Sequence, residues 1–382
     1  MLNQSQVNFY LSVFVANLGF GMYIYFVPVF AQSFGATFLD LGLIGSANAF
    51  AYAMSAMLIG LLADRCNRAW MLTLALILNI LITIILSLSG SVRHIMILWT
   101  FAGLASGAFW PTADVLAADL ATSDNLVREM GSYCVAWGAG LLTGPFVGGF
   151  VIQMFSFTSL FLVSALVLSA AVATSALLLA RTYKRKTARH AVAEATKPTS
   201  IRKVVPLYMI TISYSVVMGV IVTMLPGYAN SEGLIPTMIG LIFTTFGIAR
   251  VAMFAMSERY SRVGVKTALS FASGILTLGI LTIPVFPNLF GLLLAAVLIG
   301  GSFGVIFPLT ISLISVFFPE KKRGAAMGSY ETILGAGFAI GPLMAGLVAA
   351  MTSIQLTFVF TSLFALLMTG LAISEKTYPI SA

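Results

Sequence analysis

Trp99, Gly103, Ser106, Trp110 and Asp114 follow one another at steps of four, three, four and four residues. On a helix this spacing puts two indoles, a hydroxyl and a carboxylate on a single stripe. Indoles offer ring contact and cation–π attraction to an apolar or cationic ligand. A carboxylate inside an apolar run is a candidate proton carrier, because hydrocarbon penalises its charge. Asp114 therefore stands as the proton-coupling candidate, with a wet interfacial acid as the plain alternative. Arg250 is the one basic residue inside an apolar run, suited to an anionic substrate or to pairing with Glu331 or Asp114. Snorkelling of its stem toward the nearer interface is the plain alternative.

Two further helical faces carry polar groups. Asn17, Gly21, Ile24 and Pro28 share a stripe with Phe20 beside it, and Tyr208, Thr211, Ser215 and Met218 form a second. Hydroxyls of this kind often bond only their own backbone. Asp40 opens an apolar run and is expected to cap that helix. Cys66, Cys134, His94 and His190 lie too far apart in the chain for metal-ligand spacing, so no metal is expected. The positions inferred for the two cysteines make a disulfide unexpected.

The elements that must hold these residues are set by composition. Of 382 residues, 59% are hydrophobic and 8% charged, and the mean hydropathy is +1.03. A soluble domain carries roughly 25% charged residues. Lipid must be the solvent for most of this chain. Twelve apolar runs are long enough to cross a bilayer: 8–30, 40–62, 69–89, 94–117, 131–154, 158–180, 205–227, 236–257, 266–284, 289–317, 325–350 and 355–374, numbered here as spans 1 to 12. The first begins Val7-Asn8-Phe9-Tyr10 without a basic n-region, and is expected to be a retained helix.

Charge orients them. Eighteen of the 20 basic residues fall in the even-numbered loops or the tail, while the odd-numbered loops hold only Arg93. By the positive-inside rule both termini are cytoplasmic, in an inner or plasma membrane. The net charge of +8 is thus a topology and lipid-headgroup signal, with no aromatic interleaving to suggest nucleic acid. The longest basic stretch, 181–204, divides an N-terminal half, 1–180, from a C-terminal half, 205–382. The halves repeat at an offset of 197 residues: Met130-Gly131-Ser132-Tyr133 recurs as Met327-Gly328-Ser329-Tyr330, and Gly140, Gly144 and Pro145 as Gly337, Gly341 and Pro342. Gly103, Gly107 and Pro111 recur as Gly300, Gly304 and Pro308. Six spans per repeat give both copies one orientation, related by an axis along the membrane normal.

Between spans 2 and 3 the chain reads Gly60-Leu61-Leu62-Ala63-Asp64-Arg65-Cys66-Asn67-Arg68. This resembles the loop motif G-x-L-a-D-R-x-G-R-[KR] of the major facilitator superfamily, with Asn67 in place of the second glycine. Asn tolerates a left-handed turn, so the turn is expected to survive. Span 5 carries Gly131, Gly140, Gly144-Pro145 and Gly148-Gly149, similar to the motif of the antiporter branches. Span 11 repeats that spacing, which allows a purely architectural role. The resemblance implies an all-α membrane fold of twelve helices that works by alternating access. It implies a clasp of Asp64, Arg65, Arg68 and Arg128 against span 11. It further implies that Gly140, Gly144, Pro145, Gly148, Gly341 and Pro342 make a smooth, bent seam between the halves. It also makes Asn17, Phe20, Trp99, Ser106, Trp110, Tyr208, Ser215, Met218 and Arg250 cavity-lining substrate residues. The antiporter branches place an arginine four residues before the glycine matching Gly103; this chain has Trp99.

The function expected is secondary export of a small apolar or amphipathic organic molecule, in exchange for protons. Uptake or facilitated exchange of a neutral solute or a monocarboxylate, the latter held by Arg250, is the alternative. An enzyme would need clustered His, Cys or acidic residues, which the sequence lacks. No cofactor is expected; the partners are a small-molecule substrate, protons and the lipid bilayer, around a monomer.

Overall fold

The computed structural model describes residues 4–62, 67–120, 126–182, 201–256, 260, 263–317 and 323–374. All twelve expected spans are helices long and apolar enough to cross a membrane. Span 1 is a broken helix, Gln4–Ile24 followed by Val27–Gln32. Pro28 supplies no N–H to the carbonyl four residues back, and Phe26 sits outside the second piece at φ −103°, ψ −9°. The others are Phe38–Leu62, Arg68–Leu86, Val92–Leu120, Leu126–Met154, Phe157–Thr182, Ile201–Ser231, Pro236–Ala255, Val265–Val285, Leu289–Phe317, Arg323–Met351 and Ile354–Ser374. Span 7 runs on past Pro226, which the sequence pattern puts close to its end.

Two local expectations change. Asn67 is extended at φ −70°, ψ 113°, and its side chain accepts hydrogen bonds from the N–H groups of Ala69 and Trp70. It caps span 3, because a capping oxygen at this point satisfies donors that a left-handed turn would leave open. Its repeat-mate Gly264 takes the left-handed form at φ +98°. Asp40 is not the cap of span 2. Thr37 precedes the helix, and the Asp40 carboxylate accepts from the Thr37 N–H at 2.8 Å while the Thr37 hydroxyl faces the Asp40 N–H at 3.2 Å. This reciprocal pair is a capping box with the acid three residues inside.

Helices pack in equivalent pairs across the repeat. Spans 1·5, 2·4, 1·6, 3·4 and 3·6 are neighbours in the first six; spans 7·11, 8·10, 7·12, 9·10 and 9·12 are neighbours in the second. Polar ties recur at matching places, Thr73 to Ser175 at 2.9 Å between spans 3 and 6, and Thr369 to Ser273 at 2.9 Å between spans 12 and 9. Elsewhere many buried hydroxyls return to carbonyls one turn back, as Thr83 does to Asn79 and Thr310 to Ile306, which satisfies those donors within their own helix in an apolar medium. Large side chains such as Leu166, Phe271 and Phe290 stay exposed, as expected of a surface that meets lipid.

The two sets of six meet mainly through spans 2·11 and 5·8. They are shut together at the end away from the termini. There Gly42 lies against Pro342 and Gly346, and Gly149 against Pro236 and Thr237. The Gln32 amide donates to the Gly227 carbonyl at 3.1 Å and accepts from Asn230 at 3.0 Å. Tyr25, at the break in span 1, stacks on Phe243 of span 8 with centroids 4.1 Å apart.

Candidate transport site

Below that seal, polar and aromatic side chains from eight spans converge. Asp114, partly buried in span 4, accepts a 2.7 Å hydrogen bond from the Tyr133 hydroxyl of span 5. Tyr133 is fully buried and stacks on Phe9 of span 1 at 5.9 Å. Tyr52 of span 2 lies within electrostatic reach of both Asp114 and Glu331. Glu331 belongs to span 11, one turn before Gly335, whose missing side chain leaves room for Ala53 of span 2. The two acids thus belong to opposite sets of helices, Asp114 to the first six and Glu331 to the second. On the Glu331 side, Tyr330 meets Thr310 at 3.2 Å and Tyr214 packs edge-on to Phe303 at 4.8 Å. Arg250 is buried in span 8, its guanidinium 5.2 Å from the Trp137 ring of span 5 and 5.3 Å from Phe246.

The stripe on span 4 does not face one common neighbour. Trp99 meets Tyr23 of span 1 edge-on at 5.9 Å. Gly103 lies on the backbone of Asn48, whose amide donates to the Trp99 carbonyl at 2.7 Å. Ser106 points toward Asn79 of span 3 at 3.4 Å. Trp110 packs edge-on to Trp137 at 6.0 Å. Only Trp110 and Asp114 join the central cluster. A helix surrounded by four neighbours presents even a narrow stripe to more than one of them.

Phe20 is buried against Phe109 at 5.3 Å, and Asn17 donates to the Val13 carbonyl at 2.9 Å while its own carbonyl oxygen is buried without a partner among the described residues. Thr211 and Ser215 bond the Leu207 and Ile212 carbonyls of their own helix. Met218 is buried and Tyr208 partly buried. Asp64, Arg65 and the Arg128 side chain, members of the expected clasp, lie outside the described residues; Arg68 begins span 3.

The resemblance implies that Gly140, Gly144 and Gly148 lie on a seam between the halves; in the structure they face span 1 of the same half. A Cβ on Gly140 would come 2.5 Å from the Phe14 carbonyl oxygen, one on Gly144 2.6 Å from the backbone of Gly21, and one on Gly148 would strike Met22. Gly341 likewise sits on Val216 of span 7, and Gly337 on Ser215. The seam lies one residue further round, where Pro145 and Gly149 meet Gly240 and Pro236, and Pro342 and Gly346 meet Gly42. Small residues on adjacent faces serve two interfaces at once, and spacing cannot say which is which.

Residues 9–234 and 207–379 each match the family model described as Major Facilitator Superfamily. The chain belongs to that superfamily. Its members are transporters and not enzymes, and this one is a multi-pass membrane protein. It is similar to the quinolone resistance protein NorA of Staphylococcus aureus, 27% identical over 157 residues, which are 40% of this chain and 39% of that protein. The match thus spans well under half the length of this curated relative. It is similar to an uncharacterised MFS-type transporter, MJ1560, of Methanocaldococcus jannaschii, 21% identical over 364 residues, 94% of both chains. Among solved structures it shares its fold with the nucleoside transporter NupG at TM-score 0.81, 11% identity and 98% of this chain against all of that one. A bacterial homolog of the human lysosomal transporter Spinster, inward-facing and occupied, matches at TM-score 0.74 and 12% identity, over 96% of this chain and 95% of that one.

Tyr52, Tyr133, Trp137, Tyr214, Phe246 and Glu331 complete the cluster around Asp114 and Arg250, yet none but Glu331 stands out by residue type alone. The repeat offers a signal. Tyr133 and Tyr330 are repeat-mates, and so are Cys134 and Glu331. A repeated tyrosine followed by an unrepeated acid marks where a symmetric frame has acquired an asymmetric charge.

Proposed function

We propose that this transporter exports a small amphipathic organic molecule from the cell in exchange for protons. Its six-helix halves, 1–180 and 205–382, rock about the cluster between them, and the protein works as a monomer in the cell membrane. The Tyr133–Asp114 hydrogen bond, set beside Glu331 of the other half, carries the reading. A carboxylate within a membrane span tends to be functional, since only pairing or a proton relieves the cost of its charge. Here the acid has a phenol donor on its own half and a second acid across the seam. Binding and release of a proton therefore change how strongly the halves attract or repel. The antiporter-like glycines of span 5 and the likeness to a resistance protein favour export. The distribution of basic residues favours cytoplasmic termini, which would make the sealed end the external one.

The test is flux in proteoliposomes under an imposed pH gradient, with an amphipathic dye as cargo. Asp114→Asn is expected to abolish gradient-driven accumulation while counterflow of the dye persists. Unchanged accumulation would remove Asp114 from the coupling mechanism.

A further inference from the structure

Arg250 is the least ordinary charge in the molecule. It is 7% exposed, inside span 8 five residues before the helix ends at Ala255, and its Nε is buried with no hydrogen-bond partner among the described residues. Trp137 and Phe246 hold the cation by ring contact. Ring contact satisfies the faces of a guanidinium. It leaves the in-plane N–H donors needing acceptors, and a guanidinium has five in a fixed fork.

The surroundings favour one kind of acceptor. Tyr25 from span 1 and Tyr214 from span 7 lie within electrostatic reach of Arg250. Tyr25 stacks on Phe243, Tyr214 packs on Phe303, and Phe303 packs on Phe246 at 5.7 Å. The walls are aromatic, the polar tips are phenolic, and the charge is a planar fork. A fork of N–H donors matches a carboxylate in two parallel hydrogen bonds. Aromatic walls suit an apolar body attached to it. Spans 1, 5, 7 and 8 together supply the residues, so a bound anion would tie both halves to one ligand.

We propose that Arg250 anchors the carboxylate of the cargo, with Tyr25 and Tyr214 as further polar contacts and Trp137 and Phe246 against an aryl or alkyl body. This names the substrate class of the transport site and rests on the transport reading above.

Thermal melting of the purified full-length protein in detergent provides the test, with benzoate, phenylacetate and 1-naphthoate as probes against their amides. Bound ligand raises the melting temperature by an amount that grows with the logarithm of its concentration over Kd. The acids are expected to stabilise the protein in a concentration-dependent way and the amides not to. Arg250→Met should lose the response. Arg250→Lys should weaken it about tenfold, because an ammonium cannot make the paired contact. Tyr214→Phe should weaken it several-fold while melting normally without ligand. Equal protection by acids and amides would overturn the proposal. So would no protection by any acid, or acid protection that survives in Arg250→Met. Should Arg250→Met fail to fold, Arg250→Lys decides: a tenfold weaker response supports the anchor, and an unchanged one overturns it. Melting is read without a gradient. Failure here leaves proton coupling to its own flux assay, and failure there leaves this site standing.

Discussion

Asp114 and Arg250 face the same penalty for charge in hydrocarbon and meet it by different means. The acid takes a phenol hydrogen bond on its own side of the seam, while among the described residues the arginine takes ring faces alone. That difference suits a proton site and a ligand site respectively, since a proton needs a steady acceptor and a ligand needs open donors. Tyr133 acts through Asp114 as a positioning residue. Removing its hydroxyl leaves the carboxylate in place but free to turn, at a cost typical of a charged hydrogen bond, about 1.5–3 kcal/mol. Tyr133→Phe is expected to slow gradient-driven accumulation about tenfold or more and to leave counterflow near normal, which initial-rate measurements in proteoliposomes would resolve. Equal losses in both assays would mean that the hydroxyl serves packing instead. Asp114 and Arg250 are legible by type alone, because charges are rare in apolar runs. Their partners are not. Tyr133 and Trp137 look like ordinary aromatic residues until the azimuth of span 5 against spans 4 and 8 is known.

At the scale of elements, the spans themselves follow directly from hydrophobic length. A run of about 20 apolar residues has no soluble alternative. Helix ends are harder to place for a physical reason, since proline acts differently by position. Pro28 breaks span 1, whereas Pro226 is absorbed within span 7, whose neighbours hold it. The glycine faces show the same dependence on neighbours. Gly148→Val would drive a side chain into the Met22 backbone and force spans 1 and 5 apart. A cost of about 1–3 kcal/mol is expected, visible as a lower melting temperature and poorer yield. Gly149→Val, one residue on, meets Pro236 and Thr237 of the other half instead. It is expected to keep its melting temperature closer to wild type but to open the sealed end, read as faster labelling of a single cysteine placed there. Gly274 is the control: a Cβ added there would meet nothing within 4 Å, so it should accept Val within about 0.5 kcal/mol. If all three behaved alike, the distinction between a packing face and a moving seam would be lost.

At the scale of the molecule, the repeat makes two similar bodies and the unrepeated residues make them work differently. Equivalent helix pairs hold each set of six together, and the same two pairs, 2·11 and 5·8, join them. An axis along the membrane normal explains why Gly42 against Gly346 and Gly149 against Pro236 close the same end. Alternating access requires that this end open, because a site sealed permanently on one side cannot exchange cargo there. A covalent tie across the seal should therefore stop transport without touching the cluster. A side-chain carbon on Gly42 would lie 3.0 Å from the Gly346 Cα and 2.5 Å from the Pro342 carbonyl oxygen, so spans 2 and 11 must ease apart for a disulfide to reach its ordinary geometry there. In a chain with Cys66 and Cys134 replaced by Ser, Gly42→Cys with Gly346→Cys is expected to lose transport on oxidation and to regain it on reduction. Carboxylate-dependent stabilisation should persist in the oxidised form, because the aromatic site lies below the tie. Full transport with the bond demonstrably closed would mean that spans 2 and 11 do not part in the cycle, and that the sealed end is a fixed wall of the protein.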